Sequence, residues 1–128
     1  MHTKPLVAIV DDDSSTRATI KDLLESAGFS ATTFSSSERF LTSKRRKAAR
    51  CLVADMRMPG MSGLELHRRL MSMNRGIPTI LITAYPEARL QTEALKSGVV
   101  CFLVKPFIAE DLLACVRTAL KRRDDKAE

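Results

Sequence analysis

Four apolar runs in this chain end on polar residues that can do chemistry. Leu6–Val10 is followed by Asp11-Asp12-Asp13, Cys51–Ala54 by Asp55, Thr79–Ile82 by Thr83 and Val99–Val104 by Lys105. If these runs are parallel strands with the first one central, their carboxyl ends meet in one small area. Two carboxylates about 5 Å apart repel by about 3 kcal/mol at an effective dielectric of about 20. Asp11, Asp12 and Asp55 therefore cannot all stay ionised there without a cation. Carboxylates with no His or Cys among them select a hard ion, Mg²⁺ or the similar Mn²⁺. Such an ion together with Lys105 neutralises the three acids, so the site can receive a phosphoryl group. Thr83 then offers a hydroxyl donor, and Asp55 a nucleophilic carboxylate able to form an acyl phosphate. A single acid after a strand commonly caps a helix, and Asp13 or Ser14 is read as such a cap. A single Lys-Pro is commonly a turn. Neither explanation requires Asp, Asp, Thr and Lys together at four strand ends.

The elements that must position these residues alternate along the chain. A weaker β-branched run at Ser30–Phe34 brings the strands to five. Between the strands lie helical patterns. Ile20, Leu23, Leu24 and Ala27 recur at helical spacing, and Gly28 follows as a left-handed C-cap. Ser35-x-x-Glu38 reads as a capping box ahead of Phe40 and Leu41. Leu66, Leu70 and Met73 stripe a third helix after Gly63, and Ala88, Thr92 and Leu95 a weak fourth closed by Gly98. That weak stripe implies a loosely held helix, one that a small free energy repositions. Leu112, Cys115, Val116, Ala119 and Leu120 make a strong fifth, with Glu110 and Asp111 at its start and Lys121, Arg122 and Arg123 near its end, as the helix dipole favours. Continuous apolar strands alternating with helices indicate an α/β fold, a parallel sheet covered on both faces.

Composition sets the outer bounds. The 128 residues, 45% hydrophobic and 28% charged, make one ordered domain. The longest apolar runs are far shorter than the ~20 residues of a membrane span, and the N-terminus lacks a signal-peptide core, so a cytoplasmic protein is expected. Three widely spaced cysteines form neither a disulfide framework nor a metal motif, and Cys51, Cys101 and Cys115 read as small buried hydrophobes. Lys44, Arg45, Arg46, Lys47 and Arg50 supply five of the net six positive charges from a segment without an acid. This segment is a solvated helix end or a docking surface for an acidic partner. With so few aromatics, it is no stacking platform for single-stranded nucleic acid.

The stretches Ile9-Val10-Asp11-Asp12, Asp55-Met56-Arg57-Met58-Pro59-Gly60-Met61-Ser62-Gly63, Ile82-Thr83-Ala84 and Val104-Lys105-Pro106-Phe107 resemble a response-regulator receiver (CheY-like) domain of two-component signalling. The block from Asp55 to Leu66 is most similar to the FixJ-type subgroup, whose members usually carry a DNA-binding helix-turn-helix after the receiver. The resemblance implies a doubly wound (βα)5 three-layer sandwich with five parallel strands in order 2-1-3-4-5. It makes residues 1–128 one receiver domain with a core of about 4–121, and 122–128 a polar tail or linker start. It implies Asp55 as phosphoacceptor, with Mg²⁺ (or Mn²⁺) held by Asp11, Asp12, Asp55 and the backbone carbonyl of Arg57. Thr83 and Lys105 would bind the phosphoryl oxygens, and Phe102 would be the switch aromatic that turns inward as Thr83 moves. Arg57 and Tyr85 take positions that tune the lifetime of the acyl phosphate, with Arg57 pairing with a site acid or the phosphoryl group. The Lys105–Pro106 peptide would be cis. Asp13 is an extra acid, read as solvated or a cap, and His2 and His67 are read as surface residues.

The implied partners are a sensor histidine kinase or phosphotransfer protein and a phosphorylation-dependent homodimer through the fourth helix, fifth strand and fifth helix. DNA would be reached only through an output domain absent from this chain, and no membrane is involved. On this reading the chain is a signalling domain that catalyses only its own phosphorylation and slow dephosphorylation. One alternative is a receiver-fold docking module with little phosphoryl chemistry. A haloacid-dehalogenase-type phosphatase needs Asp-x-Asp-x-Thr/Val on its first strand, where this chain has Ser15, and leaves Asp55 unexplained. A flavin mononucleotide carrier of the flavodoxin type would have to seat a phosphate against three carboxylates.

Overall fold

The three central apolar runs become strands buried on both faces, and the two edge runs are covered only in part. In the computed structural model, which describes residues 4–126, the elements are β1 (Leu6–Val10), α1 (Ser14–Ser26), β2 (Ser30–Phe34), α2 (Ser37–Thr42), a 3-10 turn (Lys44–Ala48), β3 (Cys51–Asp55), α3 (Gly63–Ser72), β4 (Thr79–Thr83), α4 (Ala88–Lys96), β5 (Cys101–Val104) and α5 (Ala109–Lys126). All strands are parallel, in the order β2-β1-β3-β4-β5. Side chains alternate across the pleat. Ala8, Val10, Leu52, Ala54 and Leu81 pack with Phe40, Leu66, Leu70 and Ala94 on one face. Val7, Ile9, Val53, Ile80 and Ile82 pack with Ile20, Leu24, Leu112 and Val116 on the other. Burying one such Leu or Ile contributes about 1.5–3 kcal/mol, so two filled layers hold the helices on the sheet. The chain leaves β1 first toward β2 and then crosses to β3, which opens a crevice at the carboxyl ends of β1 and β3.

Four local expectations are corrected. The cap of α2 is Ser36, which accepts from the Arg39 amide at 3.1 Å, and Glu38 is spent elsewhere. The reciprocal capping box belongs to α3, where Ser62 accepts from Glu65 N and Glu65 from Ser62 N, both at 3.1 Å. Met73 and Leu95 are exposed, and the buried residue of α4 is Ala94. The fifth strand begins at Cys101, not Val99. It is an edge strand, so Cys101 is half-buried while Cys51 and Cys115 are buried as expected.

His67 is not on the surface. It is 3% exposed, with Nε2 2.8 Å from the Ser97 carbonyl and Nδ1 3.0 Å from the Thr79 hydroxyl. A carbonyl only accepts, so Nε2 carries a proton. The ring thereby ties α3 to the start of β4 and to the C-cap of α4. His2 lies outside the described residues.

Candidate functional site: an acidic crevice with a bridging lysine

Asp11 follows β1 directly and is fully buried. Its Oδ1 accepts from the Asp13 amide at 2.9 Å, and Arg17 Nη1 reaches the Asp11 carbonyl at 2.7 Å. Asp12 beside it is exposed. Asp13 turns away to cap α1, accepting from Ser15 N, Ser15 Oγ and Thr16 Oγ1, each at 3.0 Å. The Ser15 and Thr16 hydroxyl bonds, with the Ser15 amide, hold its carboxyl below the usual range. Asp55 is the last residue of β3 and is nearly buried; its Oδ1 accepts from the Arg57 amide at 2.8 Å.

Carboxylate oxygens of Asp11, Asp12 and Asp55 all lie within 4.8 Å of one another. Lys105 follows the end of β5 and precedes a cis bond to Pro106; its Nζ lies 2.8 Å from Asp55 Oδ2 and 3.2 Å from Asp11 Oδ2. Burial pushes the Asp11 carboxyl up, and the Asp55 charge adds to this; the Asp13 amide and Lys105 offset it only in part. Burial alone would lower the Lys105 ammonium, but the Asp55 hydrogen bond and the charges of Asp11 and Asp55 raise it above its ordinary value. Three acids sharing one ammonium leave negative charge and hard oxygen donors in one crevice, a donor set that fits a divalent ion such as Mg²⁺.

Thr83 ends β4 at 1% exposure, with its hydroxyl turned to Tyr85: Oγ1 accepts from Tyr85 N at 3.1 Å and donates to Tyr85 O at 3.4 Å. The amide of Lys105 donates to the Thr83 carbonyl at 2.8 Å, tying the two site strands together. Phe102 is half-buried against the face that carries α3 and α4. Among the described residues the Arg57 side chain pairs with none of the site acids. Its guanidinium meets the Glu87 carboxylate, and its central carbon lies 5.6 Å from the exposed Tyr85 ring. Together they span the mouth of the crevice, from the loop after β3 to the start of α4. The N-cap position of α4 is Glu87 itself, with no side-chain cap hydrogen bond.

Glu87, Glu38, Ser37 and Gly63 were not singled out in the sequence as site residues. Ser37 Oγ donates to the Met61 carbonyl and Glu38 Oε2 accepts from the Met61 amide, each at 3.0 Å, so α2 grips the loop that follows Asp55. Gly63 opens α3 directly against that strand end, where a Cβ would come within 2.4 Å of the Asp55 carbonyl oxygen. The signal for Gly63 was its place at the end of the Asp55 block. Glu87 carried none beyond being an acid before a helix.

A family model for the response regulator receiver domain matches residues 7–117. The chain is 38% identical over 123 residues to response regulator protein TmoT of Ectopseudomonas mendocina, covering 96% of this chain and 56% of that protein. It is 35% identical over 128 residues to transcriptional regulatory protein FixJ of Bradyrhizobium diazoefficiens, covering 100% and 62%. The chain thus spans little more than half the length of these curated relatives. Among solved structures, response regulator StyR superposes with a TM-score of 0.88 at 42% identity, over 98% of this chain and 63% of that one. The crystal structure of FixJ-N gives 0.83 at 34%, over 94% and 96%. No helix among the described residues is long and apolar enough to cross a membrane.

Proposed function

The chain belongs to the response regulator receiver domain family of two-component signalling, and from that premise we propose that it accepts a phosphoryl group on Asp55 and relays its arrival to α4, β5 and α5. The donor is the phosphohistidine of a sensor histidine kinase or phosphotransfer protein. An Asp55 carboxylate oxygen attacks phosphorus, the N–P bond breaks, and the departing imidazole takes up a proton. The single observation that carries this reading is Lys105 Nζ bridging Asp11 and Asp55 within a three-carboxylate cluster.

Asp11, Asp12, Asp55 and the Arg57 carbonyl would hold Mg²⁺ or Mn²⁺, which when bound supplies charge neutralisation for an incoming phosphoryl dianion. Lys105 already sits on Asp55 and needs to shift little to meet a phosphoryl oxygen. Thr83 must give up Tyr85 to do the same, and that exchange moves the backbone at the head of α4. Phe102 fills the space behind it; lacking a hydroxyl, its inward state gains burial alone. Arg57 and Tyr85, at the mouth, control how water reaches the acyl phosphate. The domain acts on itself rather than on a separate substrate, in the cytoplasm. The face formed by α4, β5 and α5 supports a phosphorylation-dependent homodimer. DNA would be reached only through an output domain outside residues 1–128.

Intact mass after incubation with acetyl phosphate, with and without Mg²⁺, tests the assignment. The expected result is a Mg²⁺-dependent gain of about 80 Da, one phosphoryl group, that Asp55→Asn lacks. A gain that persists in Asp55→Asn would remove Asp55 from the role. A Lys105→Ala variant that takes up phosphate but shows no shift of α4 resonances would assign the coupling to Lys105.

A further inference from the structure

The basic segment acquires a partner in the fold. Its 3-10 turn brings Arg46 and Lys47 alongside Arg75, from the loop between α3 and β4, around a cleft of about 280 Å³. Ala49 and Ile77, both nearly buried, form an apolar floor, and Asn74 and Gly76 complete the wall. Among the described residues no carboxylate lines the cleft. Among the described residues the side chains of Arg46, Lys47 and Arg75 have no hydrogen bond or ion pair, so three cations face one concavity without a counter-charge. Asn74 sits at φ 58°, a left-handed turn that ends the α3 segment and sets Arg75 on the rim. Ala49 lies just ahead of β3 and Ile77 just ahead of β4, so the cleft is at the amino end of the sheet. One strand length, about 17 Å, separates it from Asp55.

We propose that this cleft binds a compact polyphosphate anion. Two guanidinium forks and an ammonium match the oxygens of adjacent phosphoryl groups, which accept paired N–H donors. The volume lies below the usual range for drug-sized ligands, and among the described residues no aromatic side chain lines it to stack a base. Recognition is therefore of the phosphate chain itself, whether inorganic polyphosphate or the tail of a nucleotide. Unpaired cations held together in one cleft also raise the local potential, which concentrates such an anion there.

The test is an amide-resonance titration of the full chain in Mg²⁺-free, low-salt buffer, with inorganic triphosphate in one arm and a nucleoside triphosphate in the other. Saturable shifts confined to residues 45–49 and 74–77 are expected. Arg75→Ala should weaken binding about tenfold, the worth of one charge-assisted hydrogen bond. Lys121→Ala, on α5, should leave it unchanged, and circular dichroism checks that both variants fold. Equal affinity in the two arms assigns the ligand to the phosphate chain; tighter nucleotide binding assigns it to the nucleotide. Shifts that never saturate, that spread over all basic residues, or that are absent in both arms would overturn the proposal.

Discussion

Replacing Asp12 by Asn should stabilise the metal-free protein. Asp12 is exposed and makes no hydrogen bond among the described residues, so the amide loses no contact. What it removes is repulsion. Asp12 faces Asp11 and Asp55 within 4.8 Å, and Lys105 cancels only one of those two charges. A net charge of about −1 at this distance costs about 0.9 kcal/mol in water and about 3.5 kcal/mol at an effective dielectric of 20. Exposure places Asp12 near the lower figure. The expected gain is about 1 kcal/mol, or about 3–5 °C in Tm for a chain of this size. Urea and thermal melts with a chelator present, at about 10 mM and 1 M salt, read it directly. The gain should be largest at low salt and fade at 1 M, where the screening length falls to about 3 Å. Adding Mg²⁺ should reverse the order, stabilising the parent chain and much less so the variant. An unchanged or lowered midpoint at low salt refutes the reasoning; a gain that survives 1 M salt would mean packing, not charge, is responsible.

Three further outcomes follow from the geometry. His67→Phe should lose about 2–3 kcal/mol in a urea melt, because the Ser97 carbonyl is left unpaired and the Thr79 hydroxyl loses its ring partner; a loss below about 0.5 kcal/mol would contradict the tie between α3 and α4. Glu87→Gln should change stability by less than about 1 kcal/mol, since the Arg57 pair is half-exposed, yet speed amide exchange in the first turn of α4, and unaltered exchange there would show that the pair holds nothing. Burial, helped by the neighbouring sulfurs, pushes the Cys51 and Cys115 thiols up to about 12, so both stay protonated at pH 8 and a brief iodoacetamide pulse should label only half-buried Cys101. Fast labelling of Cys51 would place it outside the core.

The strand ends were legible because a parallel sheet leaves a sharp boundary: four or five apolar residues, then a polar one that has left both layers. That boundary predicts Asp11, Asp55, Thr83 and Lys105 at one crevice, and the structure joins Lys105 to Asp11 and Asp55 there. Side chains spent on distant backbone left no such mark. Ser35-x-x-Glu38 and Ser62-x-x-Glu65 have the same spacing, and only the second is a capping box, because Glu38 is drawn off to the Met61 amide 23 residues away. His67 sits among Arg and Leu on a helix whose pattern counts it polar, and its two partners lie 12 and 30 residues off. The stripe assigned to α4 failed for a related reason. Ala94, with half-buried Leu90 beside it, seats the short helix on the core, so Leu95 is left outside. The fold is written in local runs; these corrections lie in contacts between them.

The two ends of α4 are secured very differently, and this gives the helix a mechanical character. At its C-terminus the Ser97 carbonyl is held by the buried His67 ring and the Ser97 hydroxyl faces Arg68 Nε at 3.4 Å. At its N-terminus there is one half-exposed ion pair and no side-chain cap. A nine-residue helix is about 13 Å long. Pivoting about Ser97 by 10° would sweep its head through about 2 Å while Ala94 and Leu95 stay almost still. If phosphorylation acts as proposed, the helix would be a lever with its fulcrum at the far end, and Glu87, which pairs with Arg57, would be where force is applied. A partner resting on the head of α4 would read the full stroke, and one resting on Leu95 almost none.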